Sequence, residues 1–440
     1  MTVRADFWRG NLKRGLGLRH GFRIAALTLV SALIAGCGET PQNKAARGTY
    51  LVVSVIQDTE RNLAELIALR RRQGWEVVVR QMNQPAPDDV KAAIAAEKSA
   101  HAALSHVLLV GSDALLPMVR MPNYKTQRYE KDLPILTDDA YGMPDDAGVP
   151  RLAVGRFPTD DGERLRRLAG KVVRYETELD SLSPHLFLLV GRQPADEQLA
   201  FGGFSAQRVV DNVSAAFIDG IRGVLEPNLK LRVRTAFPGN DHYPFEESAE
   251  VLREALARRP AMSGYAGHAN RRALSTMHRA DQVEGITRYD IEHFSIDAVS
   301  GPFVTGGCSV LDPEGGGCSI GETILFLSGG PAAVAGYTRT NDDFFVMQFF
   351  ETLASELRMP EERTLGELIL AIKRRMSAEP QSARSRTVQF GALANQSRLD
   401  LDYEKVVRKN NALLTIYGDP AMTLALPRIA AKPAADREEQ

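Results

Sequence analysis

The chain has 440 residues, 44% hydrophobic and 25% charged, with 54 Lys plus Arg against 55 Asp plus Glu and a formal net charge of -1. That length supports two domains or one large two-part catalytic unit. The balanced charge, with no long block of one sign in the body of the chain, argues against a dedicated nucleic-acid binder, and no nucleic-acid partner is expected.

Residues 1–36 carry an export pattern: Arg14 to Arg23 is basic, Ile24 to Ile34 is almost wholly apolar, and Ile34-Ala35-Gly36-Cys37 places small residues before a cysteine. An apolar run of roughly 11 residues is too short for a hydrocarbon core that needs about 20, so it reads as a cleavable signal. It resembles a bacterial lipoprotein signal. That resemblance implies lipidation at Cys37 and a membrane anchor there, and Gly38 rather than Asp after the cysteine points to the outer membrane. Residues 37–48 read as a polar tether.

The fold then begins as a βαβ unit, with a β-branched apolar strand at Tyr50 to Val55, helical periodicity from Thr59 to Gln73, and a second strand at Trp75 to Val79. Pro87 to Lys98 predicts a helix and Val107 to Val110 a third strand. An acidic loop contains Asp138, Asp139, Asp145 and Asp146, and Leu152 to Pro158 precedes a helix from about Asp160 to Leu179. Ser181 to Pro184 forms a boundary, separating an N-terminal α/β subdomain (49–182) from a second one (183–427).

The second half repeats the alternation. Strands are expected at Leu186 to Val190, Leu229 to Ala236, Ala261 to Ala266, Pro302 to Thr305 and Val334 to Tyr337. Helices are expected at Phe204 to Gly220, Phe245 to Arg258, Phe344 to Arg358 and Leu365 to Ser377, with Ala412 to Tyr417 running into Gly418-Asp419-Pro420. The class is α/β, mainly parallel sheets flanked by helices in two adjacent subdomains. Residues 428–440 are rich in Ala, Pro and charge, the composition of a disordered tail.

Two of the expected strands end in chemistry: Gly267-His268 follows one, and Gly306-Gly307-Cys308 follows the other. A nucleophilic thiol needs a base beside it and backbone donors for the oxyanion formed at a carbonyl. If the strands are neighbours, both side chains meet at one sheet edge.

These residues resemble the gingipain-like peptidases, family C25 of the caspase-like clan. Tyr265-Ala266-Gly267-His268 is similar to the family's histidine strand, and Phe303 to Cys308 to its nucleophile strand. Ala153 to Pro158, Gly321-Glu322, Gly330 to Ala335 and Tyr417 to Ala421 resemble further family segments in the same order, so the likeness runs from Tyr50 to Leu424. The resemblance implies a caspase-like fold and a cysteine endopeptidase acting on protein or peptide substrates. Cys308 would be the nucleophile and His268 the general acid, with the Gly267 and Cys308 amides as oxyanion donors. No cofactor is required. Asp138, Asp145 and Asp146 fall in a loop that in the family borders the substrate cleft; they read as a structural Ca²⁺ site, as a charge partner for a substrate Arg or Lys at Asp146, or as solvated turn acids. Arg151 stands where related sequences often carry another acid.

Two residues depart from the family pattern. Ala269 occupies the place of a second glycine, and Cys318 lies close enough in sequence to pair with Cys308, the other reading being a small core residue. They keep open a non-catalytic surface lipoprotein that uses the fold for binding; a second alternative, since the sequence does not fix the acceptor, is a transpeptidase or sorting-type processor in which an amine resolves the acyl-enzyme. His101, His106, His242, His278 and His293 read as structural or solvated, in no metal-ligand spacing.

Overall fold

The computed structural model describes residues 46–123, 125, 131–143, 150–192, 206–227, 229, 231–238, 247–279, 282–359, 362–378, 403–424 and 426. The export segment with Cys37, most of the tether, Asp145, Asp146, His242 and the tail lie outside the described residues.

The alternating apolar runs form one sheet of ten strands: β1 (Gly48–Ser54), β2 (Trp75–Gln81), β3 (Leu104–Val110), β4 (Ala153–Phe157), β5 (Ser183–Val190), β6 (Arg232–Ala236), β7 (Pro260–Ala266), β8 (Phe303–Thr305), β9 (Val334–Tyr337) and β10 (Leu414–Tyr417). Their order is β2-β1-β3-β4-β10-β9-β8-β7-β5-β6. Pairing is parallel within each half, and β10 runs antiparallel to β9. The seam between the halves is the single bridge Tyr417–Arg156, so the last described strand closes the sheet at its middle.

Both faces are covered, which is why β1 is a continuous apolar run rather than an alternating one. Its Tyr50 and Val52 pack with Leu165, Leu168 and Val172 on one side. Leu51 and Val53 pack with Val90 and Ile94 of the helix Pro87–Ala100 on the other. The helix Gly162–Thr177 illustrates how local sequence serves this layer: Asp161 caps it by accepting from Arg164 N at 2.6 Å, and Leu165, Leu168, Val172 and Tyr175 form its buried stripe.

Charged groups are also buried, each with partners. Arg70 donates to Asp419 (2.8 Å) and Glu176 (2.7 Å), and Tyr50 Oη donates to Asp419 at 3.1 Å. The Gly418-Asp419-Pro420 motif is therefore a counter-ion for the first helical layer, and Gly418 (φ +151°) is needed there because a Cβ would lie 2.4 Å from that of Ala333.

His106 is buried on β3, with Nε2 at 3.0 Å from Thr364 Oγ1, Nδ1 at 2.9 Å from Ser105 Oγ, and the Trp75 ring at 4.6 Å. Burial, with the Arg70 and Arg47 charges, holds it down to about 3. The folded state thus binds fewer protons than the unfolded chain between pH 3 and the ordinary value of 6.5, and stability falls as pH drops through that window. At about 1.4 kcal/mol per unit, urea unfolding at pH 4.5 against pH 6.5 is expected to show a loss of about 2 kcal/mol that His106→Gln removes.

Candidate active site

The two chemistry-bearing strands are neighbours. β8 pairs parallel with β7 in the register Phe303–Ser263, Val304–Gly264, Thr305–Tyr265, and Gly306 N continues it by donating to Tyr265 O at 2.8 Å. Beyond that bond the chains leave at the same edge as Gly267-His268 and Gly307-Cys308. The two turns touch, for a Cβ at Gly307 would lie 2.5 Å from that of Ala269. Glycine at 306 answers a different crowd: a Cβ there would sit 2.3 Å from Val346 Cγ1 on the helix Asp343–Leu357.

The histidine turn is held from beneath. The Tyr265 hydroxyl is shared between the carbonyl oxygens of His268 and Ser275, the latter at 2.7 Å, and Ser275 N donates to His268 O at 2.9 Å. Burial, and then the Cys308 charge, push the Tyr265 phenol well above its ordinary value, so it stays a donor. An antiparallel sheet of Ala269–Asn270, Ala273–Arg279 and Gln282–Thr287 follows directly and stiffens the turn.

The Cys308 turn is sharper. Ser309 has φ +55°, a left-handed backbone uncommon for a residue with a Cβ, and its N–H donates to Arg339 O at 3.1 Å. Cys308 is half-buried, as is His268. Its Sγ donates to Asn341 Oδ1 at 2.8 Å, and Asn341 Nδ2 donates to Gly306 O at 2.7 Å.

Around this edge runs a chain of ion pairs. Arg339 meets Asp312 and Glu314, Arg120 meets Glu314 at 3.2 Å, and Arg120 also meets Asp113 at 3.0 Å. It joins the loop after β3 to the loop after β8, so the carboxyl ends of strands from both halves share one rim.

Neither Cys318 nor Cys308 is in a disulfide. Arg271 grips the loop between them, donating to Asp312 O at 3.0 Å, Gly316 O at 2.8 Å and Gly317 O, while Arg288 donates to Cys318 O. Cys318 is half-buried rather than a core residue, and burial together with Glu322 pushes its thiol up.

Asp138 corrects the sequence expectation of a substrate or calcium ligand. It is buried, and its two oxygens accept from Arg156 Nε (2.8 Å) and Nη2 (2.6 Å), while Arg156 Nη1 donates to Gly111 O and Leu116 O. A carboxylate so occupied is the counter-ion of a buried guanidinium. Asp139 is likewise buried against Lys373, and burial raises it to about 6. Among the described residues no group of three His, Cys, Asp or Glu side chains could hold a metal ion.

The family model for peptidase family C25 matches residues 43–425. The chain belongs to peptidase family C25. It is accordingly a cysteine peptidase, with protein as its substrate class. Among solved structures, this C25 peptidase is similar to the Arg-specific cysteine proteinase gingipain R (RgpB), at 15% identity and a TM-score of 0.62 over 86% of this chain and 78% of that one. It is also similar to the complex of Porphyromonas gingivalis RgpB pro- and mature domains, at 15% identity and a TM-score of 0.61 over 85% and 79%. At that identity the likeness is one of fold, a mainly parallel α/β sheet flanked by helices. No curated protein matches the chain.

Asn341 and Tyr265 escaped the sequence reading as site residues. A signal for Asn341 existed: it lies in the polar run Thr338 to Asp342 directly after an apolar strand, and that strand is the other neighbour of β8. The Gly307–Ala269 contact makes a direct test. Gly307→Ala is expected to push the two turns apart and lower kcat/KM for peptide cleavage by about 100-fold, since a displacement near 1 Å carries that cost, in a chain that thermal melting shows to be folded.

Proposed function

We propose that this C25 peptidase is an endopeptidase of the cell envelope, lipid-anchored at Cys37 in the outer membrane, that cleaves peptide bonds with a Cys308–His268 dyad. The observation that carries the reading is the β7–β8 pairing, which brings the Cys308 and His268 turns into contact at one sheet edge.

In the proposed cycle the Cys308 S–H proton passes to His268, and the thiolate attacks the peptide carbonyl carbon. The Gly267 and Cys308 amides receive the oxyanion. The C–N bond then breaks as the His268 imidazolium protonates the departing amine, leaving an acyl-enzyme. Water, giving a proton to His268, attacks the thioester carbonyl carbon; the C–S bond breaks, the product leaves as a carboxylic acid, and His268 returns the proton to the Cys308 sulfur. No cofactor enters these steps; a structural Ca²⁺ on the Asp145 and Asp146 loop is compatible with them. The name of the solved relative, an Arg-specific proteinase, agrees with selection of a basic substrate side chain by Asp146.

A peptide-library cleavage profile on membrane fractions tests the reading. Cys308→Ala is expected to abolish cleavage, His268→Ala to lower kcat by about 10² to 10⁴-fold, and Cys37→Ser to move the activity from membrane to soluble fraction. Cleavage that persists in Cys308→Ala overturns the dyad, and membrane retention of Cys37→Ser overturns the anchor.

A further inference from the structure

Asn341 is buried, yet it touches the sulfur on which the chemistry turns. Its carboxamide cannot rotate freely: Nδ2 donates to Gly306 O at 2.7 Å, and this fixes which end of the amide faces the thiol. The end that faces Sγ is the oxygen, at 2.8 Å. Gly306 is itself bonded through its N–H to Tyr265 O, so the carboxamide straps the sulfur to the backbone that sets the β7–β8 register. The next residue anchors the strap, with Asp342 N accepted by Asn410 Oδ1 at 3.1 Å, Asn410 Nδ2 donating to Asp342 Oδ2 at 2.8 Å, and Lys409 at 3.8 Å from Asp342.

A carboxamide oxygen is an acceptor only. It holds an S–H well, and it faces a thiolate lone pair to lone pair. Hydrogen bonding to the neutral form of a group disfavours its ionisation. We propose that Asn341 is a positioning residue that keeps Cys308 aimed and protonated in the resting enzyme, releasing the sulfur only when its proton moves to His268. The proposal rests on the peptidase reading above. In that step the S–H bond breaks and an N–H bond forms on the imidazole, with both electrons of the S–H bond left on sulfur, so no further reactant is needed.

The other charged and titratable groups facing Cys308 do not compete for that proton. Tyr265 on β7 and Tyr337 on β9 are both buried phenols pushed well above their ordinary value, chiefly by burial and then by the Cys308 charge, and so remain neutral. Arg339, after β9, is engaged with Asp312 and Glu314. Asp342 lies in the cluster with Asn410 and Lys409. His268, on the turn that touches Gly307, takes the proton.

The test is the pH dependence of Cys308 alkylation by iodoacetamide in the full chain, with the adduct on Cys308 resolved from those on Cys37 and Cys318 by peptide mass spectrometry. Asn341→Leu keeps the shape and removes the acceptor. It is expected to move the alkylation midpoint down by about half to one pH unit, the equivalent of one hydrogen bond. Asn341→Asp places a carboxylate against the sulfur and is expected to move the midpoint up. Opposite shifts are not what a packing role would give, and both variants are expected to lose kcat for peptide cleavage. Midpoints equal to that of the parent in folded variants overturn the proposal, and where Asn341→Leu does not fold, Asn341→Asp decides alone. Failure of the underlying reading looks different: a parent chain that cleaves no peptide while both midpoints shift overturns the peptidase assignment and leaves the role of Asn341 standing.

Discussion

The hydrogen bond from Gly306 N to Tyr265 O, 2.8 Å long, is the last rung of the β7–β8 ladder, and the site depends on where that ladder stops. One residue further, both chains turn away from the sheet together, one into Gly267-His268 and the other into Gly307-Cys308. A slip of one residue would put the wrong faces outward, because side chains alternate along a strand. The register is protected by what surrounds it. Phe303 and Val304 are fully buried, Gly306 leaves room for Val346, and Gly307 leaves room for Ala269. The cost is a left-handed backbone at Ser309, held by the bond to Arg339 O.

A second layer of order comes from charge placed where water is not. Arg156, Arg70 and Lys373 are all buried, and each meets a carboxylate: Asp138 for the first, Asp419 and Glu176 for the second, Asp139 for the third. Such pairs add little net stability relative to well-packed apolar groups, and leaving one partner alone costs several kcal/mol. Their value here is geometrical. Arg156 ties Gly111 and Leu116, in the loop after β3, to the acidic loop at Asp138, and the partly exposed chain from Asp113 to Asp312 ties that rim to the Cys308 loop. The two halves of the sheet meet through one backbone bridge, so these side-chain contacts carry much of their connection at the site.

This explains why parts of the molecule were legible in the sequence and others were not. The strands were readable because both sheet faces are covered, which leaves long apolar runs bounded by glycine. That His268 and Cys308 stand at one sheet edge was readable because each follows such a run directly, on strands that pair. Asp138 misled, because an acid in a loop looks the same in sequence whether it faces solvent or a guanidinium that arrives from Arg156, 18 residues away. Cys318, by sequence a partner for Cys308 or a core residue, is a half-buried thiol outside any disulfide, and Arg271 and Arg288 hold the intervening loop through contacts that no local pattern encodes. Asn341 was hidden by sequence distance, reaching Cys308 only because β9 lies beside β8.

The proposed function rests on the thiol at the end of β8 acting as a nucleophile served by the histidine at the end of β7. An irreversible, thiol-reactive peptide probe applied under reducing conditions measures this most directly, with the modified residue identified by peptide mass spectrometry. An adduct on Cys308 is expected to form fast in the parent chain and far more slowly in His268→Ala. Labelling confined to Cys318, or labelling of Cys308 at the same rate without His268, would contradict it.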